Sequence, residues 1–484
     1  MSYAETIFEA KVRHVWHLDH LRVMSLLLNH PTDECPTPPR RVLSVGCGTG
    51  VHLVPLACQY PSTQFVGCDP EEAPLARGRS FRDFCGLSNL EFIVGTVRAV
   101  PEELFDIVLV QGVFSWVNEE ARDELLRACA QRLSPGGMVL LTHNVAPGWT
   151  IRTVIQEYLI SQGIIPGRFL PSEILARARG VLERLHGEMN RDSAYGTLLS
   201  GEVKRILGES PSYLRHEFLN PQTTGAPLSS VVVHARQAGL HYLGDARLSR
   251  NPFGEDDRDR AEIATFRDFS RGVAYRESLF TNAPVAGGFP KLSREQCEQL
   301  SFGSSLIEDD EHSGEFRDQG GREFSFTASQ PEYSVLRVLG ASWPRFILWD
   351  ELRRAAGRDD ESLTECVGRL LINELVIPAS EPPTYVSSTD QVSVPCWLGW
   401  ELLNTKMLTN RLYEPVELGG FESMLLSSIT GGITTVDGLV QVIQMQVAHS
   451  PEHRSLPHGV IYDTVLEGLV TLARAGLIHE TFST

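Results

Sequence analysis

Short apolar runs alternate with amphipathic stretches in the first third of the chain. Runs rich in β-branched residues at 41–45, 64–68, 90–94, 105–110 and 138–142 predict strands. The stretches at 51–60, 71–85 and 119–133, which lie between these runs, have the periodicity of helices. Strands that alternate with helices indicate βαβ units, so this part of the chain predicts an α/β domain with a parallel sheet.

After about residue 150 the apolar positions recur with a helical period. This pattern predicts helices over 151–162, 171–189, 201–207, 228–238 and 258–275. Between 330 and 375, two helical stretches precede a strand at 375–377, and a similar order recurs over 421–484. Helices followed by a strand in this order predict a winged-helix-like region at the C-terminal end.

Composition excludes several classes of protein. The chain has 484 residues, of which 42% are apolar and 21% charged, as expected for a folded protein of several domains. Without a long apolar run, we expect no membrane insertion. The nine scattered cysteines form no C-x-x-C pair, which predicts a cytoplasmic protein without disulfides or a metal site. The net charge of −18 argues against a nucleic-acid partner.

A glycine-rich turn follows the first predicted strand directly, as Gly46-Cys47-Gly48-Thr49-Gly50. Glycine tolerates positive φ and lets the backbone approach a ligand closely. A dinucleotide-binding loop would need glycine at position 51, where this chain has Val51. The tighter turn therefore favours a nucleoside that bears an amino-acid tail.

The ends of the other predicted strands extend this pattern. Asp69, followed by Pro70, ends the second strand, where a carboxylate can accept both ribose hydroxyls. Thr96 and Val97 follow the third strand at the expected place of an adenine edge. Gln111 and Gly112 end the fourth strand. Ligands bind at the carboxyl ends of parallel strands, so these positions predict one site.

Together with the segment 133–137, these motifs resemble the class I S-adenosylmethionine-dependent methyltransferases over residues 40–145. The resemblance implies a Rossmann-like fold and S-adenosylmethionine as cofactor. The implied cofactor-binding residues are Tyr3, Gly46, Cys47, Gly48, Gly50, Asp69, Pro70, Thr96, Val97, Gln111 and Gly112.

Longer blocks resemble a narrower bacterial family. The segments 111–117, 143–149, 213–219 and 238–244 are similar to methyltransferases with a methyltransferase regulatory domain, which include the rickettsial outer-membrane-protein lysine methyltransferases. The resemblance implies a methyltransferase domain over 1–150 and a helical regulatory, dimerisation and substrate region over 151–285. It also implies a C-terminal winged-helix-like region over 286–484 and a homodimer.

The chain departs from the family pattern at several positions. Ser44 stands where an acid two residues before the first glycine is usual, and Thr96 replaces an acid after the third strand. The second tyrosine of the family's N-terminal motif is Phe8, and the segment 223–228 lacks the family's asparagine and aromatic residues. The last two changes do not affect the expectation that the cofactor is S-adenosylmethionine, but they leave the identity of the substrate open.

Six residues are candidates for catalysis or substrate binding. Tyr3 is a candidate to cover the sulfonium, Trp116 to form an aromatic wall, and His143 to accept a proton. Trp149, His216 and Glu217 are candidates for substrate contact. Each of these residues also has a structural interpretation. Tyr3 fits a frayed terminus, and Trp116 and Trp149 fit packing residues. His143 fits a structural histidine with satisfied hydrogen bonds, and His216 and Glu217 fit residues that cap or pair within a helix.

Three hypotheses for the function follow. The first is N-methylation of an amine, lysine by the family resemblance, in a protein or peptide. The second is a biosynthetic methyltransferase that acts on a modified peptide or a small molecule. The third is an inactive cofactor-binding subunit. Residues 1–150 carry a net charge of −5 and the remaining residues −13, which suits a cationic acceptor.

Overall fold

The computed structural model describes residues 12–30, 38–165, 168–220, 223–254, 258–310, 313–447 and 457–481. Tyr3 and Phe8 lie outside these ranges. The chain forms two compact units. The first contains Leu28–Phe289, and the second combines residues 12–27 with the described residues from Pro290 onward. The first described helix, α1 (Leu18–Leu27), therefore belongs to the second unit.

The first unit is built on a seven-stranded sheet. Its strands are β1 (Arg41–Val45), β2 (Gln64–Asp69), β3 (Leu90–Val94), β4 (Phe105–Val110), β5 (Leu133–Asn144), β6 (His241–Asp245) and β7 (Tyr275–Thr281). The order across the sheet is β3-β2-β1-β4-β5-β7-β6. Strands β1 to β5 pair in parallel, and β7 is antiparallel to both of its neighbours. The predicted α/β domain with a parallel sheet is thus confirmed, with one antiparallel strand added.

Helices of the first unit connect and extend this sheet. They are α2 (Leu53–Gln59), α3 (Glu72–Phe84), α4 (Glu119–Gln131), α5 (Gly148–Ser161), α6 (Pro171–Glu188), α7 (Ala194–Leu207), α8 (Pro211–Phe218), α9 (Leu228–Gln237) and α10 (Arg260–Arg271). Helices α5 to α8 bury their own apolar cluster, which includes Leu159, Leu182 and Val203. The helical content predicted beyond residue 150 is therefore present.

The predicted helix over 258–275 was too long. Helix α10 ends at Arg271, because Gly272 adopts a left-handed conformation (φ 64°) that closes it. The chain then enters β7, which reaches the sheet as a neighbour of β5. Sequence patterning missed β7 because its Arg276 and Glu277 are charged yet buried in ion pairs with other residues. The sheet thus draws strands from both of the first two predicted domains, and the three-region division stays a prediction.

The second unit contains smaller sheets and two groups of helices. Its strands are β8 (Ser301–Gly303), β9 (Ile307–Glu308), β10 (Glu315–Arg317), β11 (Glu323–Ser325), β12 (Ile347–Leu348), β13 (Ile377–Ala379), β14 (Val386–Ser387), β15 (Leu408–Thr409), β16 (Pro415–Val416) and β17 (Glu480–Thr481). Its helices after α1 are α11 (Arg294–Glu298), α12 (Pro331–Ser342), α13 (Trp349–Ala356), α14 (Asp360–Ile372), α15 (Leu398–Asn404), α16 (Gly420–Thr430), α17 (Val436–Val447) and α18 (His458–Arg474).

Within the second unit, α1 is anchored by a carboxylate. Asp19 accepts hydrogen bonds from the backbone N–H groups of Ser380 (3.1 Å) and Glu381 (2.8 Å). Strand β8 pairs antiparallel with both β12 and β13, next to α12. Over the ranges that the structure describes, no helix has the length and apolar character needed to cross a membrane.

Candidate functional site

The candidate site lies at the carboxyl ends of four neighbouring strands. Strand order reverses between β1 and β4, which is the switch point where ligands bind in open parallel sheets. In the register of the sheet, Val45 pairs with Cys68 on one side and Val110 on the other. The residues that follow these strand ends therefore share one edge.

The three glycines of the turn after β1 all have positive φ, at 66°, 56° and 64° for Gly46, Gly48 and Gly50. A Cβ atom at Gly46 would lie 2.1 Å from Val113 Cγ2, and one at Gly50 would lie 2.1 Å from Phe92 Cε1. A Cβ atom at Gly48 would meet nothing within 4 Å. The outer glycines thus allow close packing, while Gly48 borders open space that a ligand can fill.

Cys47 contributes its backbone rather than its thiol. The N–H groups of Gly46 and Cys47 both donate to the carbonyl oxygen of Cys68, at 2.9 and 3.1 Å. The Cys47 side chain is 2% exposed, and burial raises the pKa of its thiol well above the usual range. This cysteine therefore stays protonated and fixes the turn against β2.

Asp69, at the end of β2, is held in place by two backbone donors. Its Oδ2 accepts from Gly48 N at 2.8 Å, and its Oδ1 accepts from Glu71 N at 3.0 Å. Burial raises the pKa of Asp69, and the two backbone hydrogen bonds oppose that change. Each carboxylate oxygen can accept more than one bond, so Asp69 keeps lone pairs for ribose hydroxyls. Pro70, the next residue, is exposed.

The turn after β3 contains the two residues expected near adenine. Thr96 is exposed, and its Oγ1 accepts from Arg98 N at 3.4 Å, which begins a short 3₁₀ turn, Val97–Ala99. The Val97 side chain is buried in the core. Thr96 therefore offers its backbone and side chain at this edge, whereas Val97 offers only its backbone.

Gln111 and Gly112 follow β4 and lie opposite the glycine turn. Gly112 has a φ of 63° and donates from its backbone N to Thr142 Oγ1 at 2.8 Å. The Nε2 atom of Gln111 is buried and has no hydrogen-bond partner among the described residues. A buried amide without a partner costs free energy, so Gln111 fits a site that a polar ligand completes.

Ser44 occupies the position where an acid is usual, and the structure shows what it contacts. Its hydroxyl lies 3.3 Å from His52 Nε2, and both side chains are buried. Burial lowers the pKa of His52 to about 4, so the imidazole is neutral at physiological pH. A neutral pair thus stands where a carboxylate would contact the amino group of an amino-acid tail.

An aromatic wall adjoins the end of β4. Trp116 belongs to a 3₁₀ turn, Phe114–Trp116, and a Cβ atom at Gly112 would lie 3.8 Å from its Cη2. The imidazole of His216, from α8, stacks on the Trp116 ring with centroids 5.9 Å apart and planes 13° apart. The structure therefore brings together a predicted catalytic residue and a predicted substrate residue beside the cofactor edge.

Glu217 lies next to this stack and is half-buried, with its Oε2 atom shielded from solvent. Burial raises its pKa to about 7, while Arg152 and the donor side chains of Trp116 and Asn144 oppose the rise. Its Oε2 atom has no hydrogen-bond partner among the described residues. At neutral pH this carboxyl group is thus divided between its ionised and protonated forms, a property that suits proton transfer.

His143 and Trp149 have mainly structural surroundings. His143 is 1% exposed, its Nε2 lies 2.9 Å from Ser278 Oγ, and burial lowers its pKa to about 3. Trp149 is 2% exposed and stacks on Phe218. A Cβ atom at Gly225 would lie 2.6 Å from Trp149 Cβ, so Trp149 packs directly against the backbone at Gly225.

Two residues of the site were not among the sequence candidates. Asn144 ends β5 at the same edge, and Arg152 lies on α5 with its guanidinium 4.9 Å from the Trp149 ring centroid. Asn144 could have been inferred as the carboxyl end of the fifth strand. Arg152 approaches Glu217 only through the packing of α5 against α8, which one sequence does not show.

Comparisons with known proteins agree with this geometry. Residues 42–137 match the methyltransferase domain family. Two uncharacterized proteins of Rickettsia prowazekii are 25% identical over 252 residues and 27% identical over 230 residues. These matches cover 51% and 46% of this chain, and 44% and 89% of the two relatives. The chain thus spans less than half the length of the first relative.

A solved structure has the same fold over nearly the whole chain. PKMT2 from Rickettsia typhi superimposes with a TM-score of 0.83 at 19% identity and covers 97% of this chain and 100% of its own. Its complex with AdoHcy, the demethylated product of the cofactor, gives a TM-score of 0.80 at 17% identity over 97% of this chain and 99% of its own. The open space at Gly48 and the unpartnered amide of Gln111 fit such a ligand. The chain therefore carries an S-adenosylmethionine-dependent methyltransferase domain, and its fold is that of PKMT2.

Proposed function

We propose that the protein transfers the methyl group of S-adenosylmethionine to an amine of a protein or peptide. The observation that carries the proposal is the stack of His216 on Trp116, beside Gly112 at the end of β4. Aromatic faces attract cations, so this wall suits both a sulfonium and an alkylammonium group. The buried carboxyl group of Glu217 adds a partner for an amine at the same place.

The described residues divide the work of binding and alignment. Bound S-adenosylmethionine supplies an activated methyl group on a positively charged sulfur. Asp69 holds the ribose, the backbone at Gly48 borders the nucleoside, and Gln111 donates from its amide. Intramolecular reactions with good alignment reach effective molarities of about 10⁵–10⁸ M, so positioning alone supplies much of the rate.

A macromolecular acceptor is favoured by the parts of the chain beyond the sheet. Helices α5 to α8 bring His216 and Glu217 to the cofactor edge, and a second unit of nearly 200 residues follows. The likeness to PKMT2 extends over both units. We infer that the second unit contacts the substrate protein, that β8, β12 and β13 with α12 to α14 form a winged-helix-like module, and that the protein is a homodimer in the cytoplasm.

A second candidate is methylation of a modified peptide or a small molecule. It is favoured by the segment from 223 to 228, which contacts the turn that contains Trp116. Thr224 N donates to the Ser115 carbonyl at 3.1 Å, and Thr224 Oγ1 accepts from Arg122 at 2.6 Å. The family's asparagine and aromatic residues are absent from this segment, which makes the acceptor side of the site different in shape and polarity.

The proposal is tested with a methyl-labelled cofactor. The purified protein is incubated with labelled S-adenosylmethionine and a bacterial cell extract, and the extract is then separated into protein, peptide and small-molecule fractions. We expect the label in the protein or peptide fraction. Label confined to small molecules would support the second candidate. Calorimetric binding of S-adenosylhomocysteine without turnover in any fraction would contradict the proposal and support an inactive subunit.

A further inference from the structure

Most buried titratable groups of the first unit already have partners. Asp245 and Asp268 both pair with Arg276, and Asp245 also lies 3.7 Å from Arg250. His143 Nε2 is paired with Ser278. Glu217 Oε2, like His143 Nδ1, is buried with no hydrogen-bond partner among the described residues, but Glu217 lies beside the stack of His216 on Trp116 at the cofactor edge. An unused buried oxygen beside an aromatic wall points to a group that meets a ligand rather than one that stabilises the fold.

We propose that Glu217 is the proton acceptor for the amine that receives the methyl group, and is therefore a catalytic residue. The inference rests on the proposed function and deepens it. It stands on geometry: α8 places Glu217 directly after His216, whose ring covers Trp116, and Trp116 lies against Gly112 at the cofactor edge. The residue before Glu217 thus covers the indole ring that lies beside the strand end.

The groups that face Glu217 come from four elements. Trp116 after β4 and Asn144 at the end of β5 approach it with their side-chain N–H groups, and Asn144 Nδ2 has no hydrogen-bond partner among the described residues. Arg152 on α5 and Arg205 on α7 act on it through their positive charge. The charge of Arg152 is shared with Glu202, whose Oε2 lies 3.3 Å from Arg152 Nε.

Tyr213, one turn earlier on α8, also interacts with Glu217, and burial raises the pKa of this tyrosine above its usual value. Tyr213 is therefore neutral when Glu217 is ionised. The two arginines then favour the carboxylate, and burial opposes it. Because the arginine charges and burial oppose each other, part of Glu217 is a carboxylate at neutral pH and can accept a proton. A base whose pKa lies near the working pH is the most effective.

The reaction balances without any further reagent. The acceptor arrives as an ammonium ion, because a lysine-type amine has a reference pKa of about 10.4. Its proton passes to the carboxylate of Glu217, which leaves a neutral amine. The amine nitrogen then forms a bond to the methyl carbon, and the carbon–sulfur bond breaks with its electron pair passing to sulfur. Glu217 returns its proton to solvent, and the methylated product leaves as an ammonium ion.

The experiment compares Glu217→Gln with Glu401→Gln. Glu401 is a matched control, because it is also a buried carboxyl group whose pKa is raised to about 7, but it lies in the second unit and is bonded to Thr409. Infrared spectra of each variant follow the carboxyl C=O band through a pH titration, with S-adenosylhomocysteine bound. The titration is repeated with n-butylamine as a probe amine. Methyl transfer to poly-L-lysine is measured in parallel.

In Glu401→Gln, we expect the carboxyl group of Glu217 still to titrate near pH 7. Addition of n-butylamine should lower the midpoint of this titration, because a nearby cation favours the carboxylate. Glu217→Gln should lack that probe-sensitive group and lose about 10²–10⁴-fold in the rate of transfer, the usual contribution of a general base. Wild-type transfer should fall as pH drops through about 7, because protonated Glu217 cannot accept a proton.

The possible failures are distinguishable. If the wild type binds S-adenosylhomocysteine but methylates neither poly-L-lysine nor any protein or peptide of the extract, the proposed function fails. If the wild type is active and Glu217→Gln keeps its rate and pH profile, only the role of Glu217 is overturned. The role of Glu217 as proton acceptor is also overturned if n-butylamine does not change the midpoint of its carboxyl titration. Glu217→Asp, which keeps the carboxylate, replaces Glu217→Gln if the latter does not fold, and it should restore part of the rate.

Discussion

Replacing Asp69 by alanine should weaken cofactor binding beyond its effect on the stability of the fold. The carboxylate is positioned by Gly48 N at 2.8 Å and Glu71 N at 3.0 Å, and its remaining lone pairs face the edge where a ribose would lie. Hydrogen bonds to a charged group contribute about 1.5–3 kcal/mol each. Losing two of them costs about 3–6 kcal/mol, which corresponds to about 10²–10⁴-fold in affinity.

Asp106 provides the matched control for Asp69→Ala. Its Oδ2 accepts from the backbone N–H groups of Arg40 (2.7 Å) and Arg41 (3.1 Å), at the start of β1 and so at the opposite edge of the sheet. Asp106→Ala removes a comparable pair of hydrogen bonds but no ligand contact. Calorimetric titration with S-adenosylhomocysteine and thermal melting are measured for both variants.

We expect both variants to melt earlier by similar amounts, because each loses two hydrogen bonds from backbone N–H groups, and only Asp69→Ala to lose most of its affinity for S-adenosylhomocysteine. Asp69→Asn keeps one carbonyl acceptor and should lie between Asp69→Ala and the wild type. Unchanged affinity in Asp69→Ala would refute the ribose role. Equal losses of affinity in the two alanine variants would show that the effect comes from the fold.

The remaining predictions concern the glycine turn, a buried ion pair and a buried acid. Gly48→Ala should abolish binding of S-adenosylhomocysteine in calorimetry and lower the melting temperature modestly, because alanine is strained at its positive φ, whereas Gly50→Ala should lower the melting temperature further because its methyl group would also overlap an aromatic ring. Arg276→Met should lower the free energy of unfolding in urea by about 3–5 kcal/mol, because the buried Asp268 loses its ion-pair partner and Asp245 keeps only Arg250 at 3.7 Å. Arg294→Gln, which removes a fully exposed pair, should leave the free energy of unfolding nearly unchanged. The pKa of Glu401 is raised in the folded state, so its contribution to stability is present at acidic pH and is lost as pH rises from about 4.5 to about 7. The difference in the free energy of unfolding between the wild type and Glu401→Gln should therefore fall by about 1.4 kcal/mol for each pH unit over that interval. A difference that stays constant with pH would contradict the burial of this carboxyl group.

The parallel part of the sheet could be predicted from sequence because its strands are buried on both faces. Their apolar runs are nearly continuous, as in β4, where every residue is buried. The residues after each strand then fall at one edge, which is why the sequence alone is enough to group Gly48, Asp69 and Gln111. At these positions, the apolar pattern of each strand is enough to predict where the next residues lie in the sheet.

The surroundings of Glu217, where the methyl acceptor is proposed to bind, could not be predicted from the sequence in the same way. Glu217 acquires its properties from Trp116, Asn144 and Arg152, which are distant in sequence and meet only through packing. His143 was a candidate proton acceptor because histidine titrates near neutral pH in water. Its burial between strands lowers its pKa to about 3, a change that no sequence pattern reports.

The most direct test of the account is to identify the atom that receives the methyl group. The protein is incubated with S-adenosylmethionine bearing an isotope-labelled methyl group and with the acceptor recovered from extract, and the product is examined by NMR and fragment mass spectrometry. The account predicts that the label is bonded to an amine nitrogen of a protein or peptide. A label bonded to oxygen or carbon, or found only on small molecules, would contradict it.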